Sequence, residues 1–506
     1  MVQLKELKAN NMAEALISIS DPALLESGIV PSLHKLQAPL WIDGQNVIFE
    51  DGSVQKSKGY VAVAETLGTD PISGIQDILL DTGPNLCFGD ANNLYRYDGA
   101  TVTADGTGYT AILSLAAFQD NAFQIDAFSA SSTTYVPASL WSMANFGTWC
   151  FATNGVDPPQ INKMAGAGFV DLTGSPPTRA RIVVRYKNFI IFFNTTTGDN
   201  YAEWCDVDDP ENFTTGAAGT LPIRDLDSEI KCVVSIGDAL AIYSSNSMAI
   251  FQYIGPDYWF GSKPALKGIG ATGIHSVVAQ KGYNFGISKQ GVWKTDSASY
   301  DYISPPFIRK WIQDNVNFSK EEKIAGYLNE DRSMVEWGVP VNGGSNNSIT
   351  IGYNYQKGTW MFRSYGITCA LKKNAFPLPV FGLADGTIHF GEYGADADIA
   401  PLEAWVQSKP LPGDNHLLWK DVEWLISYIR DLSGTGVYLY LGFQESLDDA
   451  IVWSSAITAS EASNPQFIEG ASSGRYISIK LYSNTLGATW RLAGFDIWGV
   501  KTGADL

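Results

Sequence analysis

Seven times between residues 85 and 398 the chain repeats one phrase. An apolar strand ends in a small polar turn, an aromatic pair follows, then a turn carrying Asp or Asn with Gly, then another strand. The copies are "NLCFGDANNLYRYDGATVTA" (85–104), "TWCFATNGVDPPQINKMAGAGFVDLTG" (148–174), "NFIIFFNTTTGDNYAEWCDVDDPENFT" (188–214), "DALAIYSSNSMAIFQYIGPDYWF" (238–260), "YNFGISKQGVWKTDSASYDYIS" (283–304), "SITIGYNYQKGTWMFRSYG" (348–366) and "PVFGLADGTIHFGEYGADAD" (379–398). A repeated hairpin cannot bury both of its faces alone. Neighbours stacked around an axis bury them, and closing the ring removes the exposed strand edges. The copies are centred about 40–60 residues apart, the period of blades made of four-stranded sheets. A string of hairpins can also build a long β-sandwich array, but short units of similar grammar favour a β-propeller. The blade number is six or seven, because one phrase could share a closing hairpin with residues 45–63.

Composition agrees with an all-β chain. The 506 residues include 49 Gly, 15 Trp, 23 Tyr and 24 Phe, the mixture expected of strands joined by tight turns. Residues 1–40 read as a short N-terminal arm, with a helix and then an irregular stretch. From Trp41, Asp43-Gly44 and Asp51-Gly52 mark type I′ turns, and a strand-turn-strand runs from about Gln45 to Val63. The propeller spans 41–400. A helical insert lies near 305–323, where Ser304 and Pro305 suit its start and Phe307, Ile308, Trp311, Ile312 and Val316 share one face. The phrase stops near residue 400. Alternation of Val437, Leu439 and Leu441, and of Ile477 and Ile479, predicts a separate β-sandwich-like domain over 401–506.

The one enzyme-like fingerprint is "KGIGATG" (267–273), in which Gly268, Gly270 and Gly273 have G-x-G-x-x-G spacing. In a dinucleotide site a buried strand precedes these glycines, a helix follows, and an acid lies about 20 residues on. Here "GPDYWFGSKPAL" (255–266) carries two prolines and no apolar run, and β-like sequence broken by Gly282, Gly286 and Gly291 follows. A glycine-rich turn between strands is expected, with no nucleotide cofactor.

Other chemistry is sparse. His34, His275, His389 and His416 are far apart, and no H-E-x-x-H, G-x-S-x-G or P-loop pattern occurs. "WCDVDDPENF" (204–213) gathers Asp206, Asp208, Asp209 and Glu211, but Pro210 interrupts it and no glycine bends it for calcium, so a solvated turn is expected. The sialidase-type repeat is not matched. No catalytic, cofactor or metal site is predicted. The cysteines (Cys87, Cys150, Cys205, Cys232 and Cys369) are odd in number and lack C-x-x-C spacing, which fits a reducing site of synthesis. No apolar run is long enough to span a bilayer. The charge, 34 Lys+Arg against 53 Asp+Glu for a net of −19, argues against a standing grip on nucleic acid.

The order of parts resembles the tail nozzle, or tail hub, proteins of short-tailed bacteriophages, also called packaged-DNA stabilisation proteins. "NVIFEDGSVQKSKGY" (46–60) is similar to the family's opening through Asn46, Val47, Gly52, Lys56, Lys58 and Gly59. "NGVDPPQINK" (154–163), "FVDLTGSPPTRARIVVRYKNFIIFF" (169–193), "WCDVDDPENF", "GDALAIYSSNSMAIFQY" (237–253), the GIGATG segment, "YISPPFIRKWI" (302–312) and "GRYISIKLYSNTLGATWRLAGFDIWG" (474–499) follow in the family's order. The chain departs in having lysine and no arginine in the opening, and in a long third-blade loop. The resemblance implies a non-enzymatic virion protein assembled in the bacterial cytoplasm. It would form a ring in the virion tail, typically a homohexamer, between the portal–adaptor (head-completion) complex above and a needle, spike or fibres below. Duplex DNA would leave through its centre. DNA carries one charge per about 1.7 Å of axis, so an acidic wall would let it slide where a basic wall would brake it. A carbohydrate-binding or glycan-degrading propeller is the alternative, motivated by Trp and Tyr at turns.

Overall fold

A computed structural model describes residues 14–31, 37–63, 70–109, 140–166, 168–224, 226–413, 415–459 and 466–502. Residues 1–13 of the expected N-terminal helix, and His34, lie outside them.

Each of the seven phrases falls in its own sheet, antiparallel except where Asp396–Ala397 of the seventh pairs parallel with Gly59–Ala62. Six blades are contiguous in sequence, at 74–107, 142–171, 180–222, 232–267, 277–302 and 325–363, each a four-stranded meander. The seventh takes three strands from 367–393, and its fourth, Gly59–Ala62, comes from the start of the chain and pairs antiparallel with Ile388–Tyr393. The innermost strands touch in sequence order, and the last, Ile367–Leu371, returns to the first, Gly74–Leu80. The chain is therefore a seven-bladed propeller whose ring is closed by joining its two ends.

Local chemistry explains the phrase. The turn from third to outer strand is pinned by an Asp or Asn side chain. Asp98 accepts from the backbone N–H groups of Ala100 and Thr101, Asp296 from Ala298 and Ser299, and Asn354 from Gln356 and Lys357. Tryptophans need room, and a glycine directly across the ladder supplies it: Trp204 opposite Gly219, Trp293 opposite Gly286, Trp337 opposite Gly326. Second strands such as Phe189–Thr195 and Met334–Pro340 are buried along their whole length, because adjacent blades cover both faces.

The ends of the chain depart from the expected boundaries. The sandwich is not made of 401–506 alone. One sheet runs Val47–Glu50, Ser53–Lys56, Thr489–Thr502, Trp419–Ser433, Gln466–Gly474, with Glu14–Ile19 also on Thr489–Thr502. The other runs Trp41–Gln45, Ala404–Ser408, Tyr476–Ser483, Val437–Gln444, Val452–Trp453. So 14–31 is a strand and a short helix packed on the sandwich, and not an arm. The expected hairpin over 45–63 is split: Val47–Lys56 belongs to the sandwich and Gly59–Ala62 to blade 7, which leaves all seven phrases as blades. Asp51 and Gly52 both have positive φ, 52° and 70°, as a type I′ turn requires. Asp43-Gly44 makes no turn and lies inside Trp41–Gln45 beside a bulge.

The sandwich shares one apolar core with blades 5 and 6, including Val54, Leu425, Leu441, Ile479, Val335 and Trp337. The helix Pro306–Asn315 joins it through buried Ile308 and Ile312, with Phe307 and Trp311 packed alongside, on the crossover between those blades.

Candidate functional site

The glycine loop is the crossover from blade 4 to blade 5. A strand does precede it, contrary to the sequence reading, but Trp259–Lys267 is a half-exposed outer strand; Val277–Gln280 follows, and no helix N-terminus is presented. Gly268 has φ +95°. A Cβ on Gly270 would lie 2.2 Å from the Ser245 carbonyl oxygen, and one on Gly273 2.2 Å from that of Glu322. The glycines let three backbone segments meet.

His275, at the end of the loop, reaches across the propeller axis. Its Nε2–H points at the Ser73 carbonyl (3.2 Å) and the Trp141 carbonyl (3.1 Å), at the entries to blades 1 and 2, while its own carbonyl accepts from Gly326 at the entry to blade 6. Burial holds the imidazole below its ordinary pKa despite the two carbonyls, so it is neutral near pH 7. The propeller's own passage is bridged at that end. His389 is buried against Tyr60 and Phe381, and His416 is exposed in a sandwich loop, so the described histidines form no cluster.

The acidic turn is held from within. Asp206 accepts from the N–H groups of Val207 and Ala217, and Glu211 pairs with Lys163 at 2.7 Å and accepts from Thr173, fastening the loop to blade 2. Among the described residues no group of three or more His, Cys, Asp or Glu is placed to hold a metal ion, and no helix is long and apolar enough to cross a membrane. All five cysteines are buried and unpaired.

Two outer flanks of the propeller carry features that the sequence reading did not single out. On the flank of blades 6 and 7, the sandwich caps the outer strand Thr359–Arg363: Ile29 donates to the Trp360 carbonyl and Asn46 to that of Phe362. Below that contact runs a buried ion network. Arg363 grips Glu336 through two nitrogens (2.8 and 3.0 Å), reaches Glu392 at 2.9 Å and donates to the Tyr365 hydroxyl. Arg332 then links Glu392 (3.1 Å) to Glu50 (2.7 Å) on the sandwich hairpin. Burial works against the Glu392 charge, but Arg363 and Arg332 outweigh it and hold its carboxyl below the usual range. Three residues of the family-like opening segment sit at this junction. Asn46 bonds Ser364 and the Glu403 carbonyl, Gly52 forms the turn, and Gly59 has the Asp396 backbone where a Cβ would stand.

On the flank of blades 3 and 4 the outer strands stay open. Between them lies a groove of about 780 Å³, lined by Trp204, Leu221 and Pro222 of blade 3 and Ile254, Tyr258 and Trp259 of blade 4, with Arg224 and Asp257 at its margin. Tyr258 is 77% exposed and Ile254 50%. Trp259 has φ +58°, a strained conformation for a bulky residue. Strain and apolar exposure at one hairpin tip are the marks of a binding surface. The signal was present in "GPDYWF", three aromatics beside Gly, Pro and Asp at the end of the fourth phrase.

No family profile matches the chain, and no curated protein matches it. Solved structures resemble it weakly. The computationally designed Ika8 protein is 9% identical over 74% of this chain and 98% of that one, with a TM-score of 0.38. YCF48 bound to D1 peptide is 9% identical over 66% and 97%, at 0.40, and the Mitotic Checkpoint Complex 11% over 65% and 94%, at 0.41. At such values the blade assignment stands on the strand pairing described above.

Proposed function

We propose that this chain is a structural subunit of a short-tailed bacteriophage tail, a nozzle or hub. Copies of it, six in the family it resembles, form a ring that continues the DNA channel below the portal–adaptor complex. The ring meets needle, spike or fibre proteins below, retains packaged DNA and lets it leave during ejection. The subunit is made in the host cytoplasm, resides in the virion tail and catalyses nothing. The observation that carries this reading is the colinear run of family-like segments from Asn46 to Gly499, set on seven blades and a sandwich. Two features support it. His275 bridges the propeller axis, so duplex DNA would run between copies and not through one. The net charge of −19 suits a wall that DNA must not stick to.

The groove's aromatics and its Asp257 and Arg224 favour one second reading, a glycan-binding propeller. Labelling the protein in intact virions separates the two. Label confined to the lower end of the tail is expected; a protein absent from virions that binds or turns over oligosaccharides would replace the nozzle reading by the second.

A further inference from the structure

We propose that the outer face of the sandwich's second sheet is a binding platform for a neutral oligosaccharide; the proposal is independent of the ring reading above. Alternation along Ala404–Ser408, Val437–Gln444 and Tyr476–Ser483 turns Val406, Leu439, Leu441 and Ile479 into the core and leaves a second set of side chains on the far face. Trp405, Tyr482 and Tyr438 stand there directly opposite one another on three neighbouring strands, a row about 10 Å long. The next row is Asp43, Gln407, Lys480 and Tyr440. Asp43 is exposed and the others are half-buried.

Two features separate this face from ordinary packing. Among the described residues, none of its rings joins an apolar core cluster. A cation orders them instead: Lys480 Nζ lies 4.6 Å from the centre of the Trp405 ring and 5.8 Å from that of Tyr482. Rings held in place before a ligand arrives lower the cost of binding. At the end of the face the Trp453 ring lies against Gly442. There Ser478 Oγ and Gln444 Oε1, on the far face by the same alternation, are buried with no hydrogen-bond partner among the described residues. Polar atoms left so are completed by a molecule that brings hydroxyl groups.

Chemistry selects the occupant. Aromatic faces attract the C–H groups of a sugar ring, while Asp43, Gln407 and Lys480 supply the acceptors and donors that its hydroxyls need. Lys480 is opposed by the Asp43 carboxylate near it, across Gln407. The platform therefore lacks the surplus of cations that nucleic acid requires, although bases also stack on aromatics. An extended peptide gains little either, because the central strands already pair on both sides. A neutral glycan matches the ring faces, the mixed donors and acceptors, and the balanced charge.

The test titrates the purified full chain with neutral hexasaccharides (maltohexaose, cellohexaose and N-acetylchitohexaose) and with anionic hexagalacturonate, followed by tryptophan fluorescence and calorimetry. At least one neutral sugar should bind. Its Kd should rise at least about tenfold in Trp405→Ala and in Tyr438→Ala, and stay unchanged in Tyr258→Ser of the groove. Gln407→Trp, which adds bulk on the open face, should block binding too; unfolding midpoints near that of the wild type show that the variants fold. No response to any of the neutral sugars would overturn the inference. So would binding that survives both Trp405→Ala and Gln407→Trp, tighter binding of hexagalacturonate, or loss in Tyr258→Ser alone, which would place the sugar in the groove. A chain that binds the sugar at this face yet forms no rings would remove the ring reading and leave this one.

Discussion

The flank of blades 6 and 7 and the flank of blades 3 and 4 are built from the same kind of sheet, yet they end in opposite ways. On the first, every edge is spoken for: the sandwich caps one outer strand, the chain's own beginning supplies another, and five charged side chains are locked beneath. On the second, a hairpin turn carries bare Tyr258, a strained Trp259 begins the outer strand, and Lys263 and Lys267 are exposed along it. The first flank holds one chain together. The second leaves apolar side chains open to solvent.

The sharpest way to break the sealed flank is Arg363→Met. It strands Glu336, which is fully buried, leaves Glu392 to Arg332 alone, and should cost about 3–5 kcal/mol in urea unfolding, because a buried charge is left without its partner. Gly270→Val tests the crossover beside the open flank. Its side chain would meet the Ser244 and Ser245 carbonyls, a backbone contact that cannot give way cheaply, so a loss of about 1–3 kcal/mol or more is expected. NAD or ATP binding by the wild type would contradict the reading of that loop.

Acid should loosen the sealed flank first. Glu392 has a depressed pKa when folded, so its contribution is present above the unfolded carboxyl range, near 4.3, and is lost as pH falls below it. Urea midpoints should drop between pH 5 and pH 3 more steeply in the wild type than in Glu392→Gln.

Lys56 gives a smaller effect of opposite sign. Its Nζ is buried with no hydrogen-bond partner among the described residues, and burial pulls its pKa down to about 8. A depressed lysine costs stability while the unfolded chain is protonated, so stability should rise as pH goes from 8 toward 10. Lys56→Met should stabilise the protein at pH 7 by about 1 kcal/mol. Smallest in stability is Tyr258→Ser, within about 0.5 kcal/mol, because the ring touches water.

The blades were legible because their signals are local. An Asx-pinned turn and the strands beside it lie within 20 residues, so each phrase marked one blade. The alternating Leu439 and Leu441 do face Leu481 and Ile479 across a ladder. What sequence could not show was pairing over distance. Val54 lies opposite Leu492, and Tyr60 opposite Gly391, and nothing near either residue announces its partner. Asp43-Gly44 carries turn chemistry but was overruled by its pairing with Val406 and Gln407. The charge network was invisible for the same reason: Glu50, Arg332, Glu336, Arg363 and Glu392 converge only once the ring has closed. The groove was half legible, since Tyr258 and Trp259 stand out in sequence while their exposure does not.

The central claim is that copies of the chain close into a ring. Cryo-electron microscopy of the purified full-length protein at high concentration tests it most directly. The account predicts closed rings with an axial opening wide enough for duplex DNA. Particles that remain single subunits would contradict it.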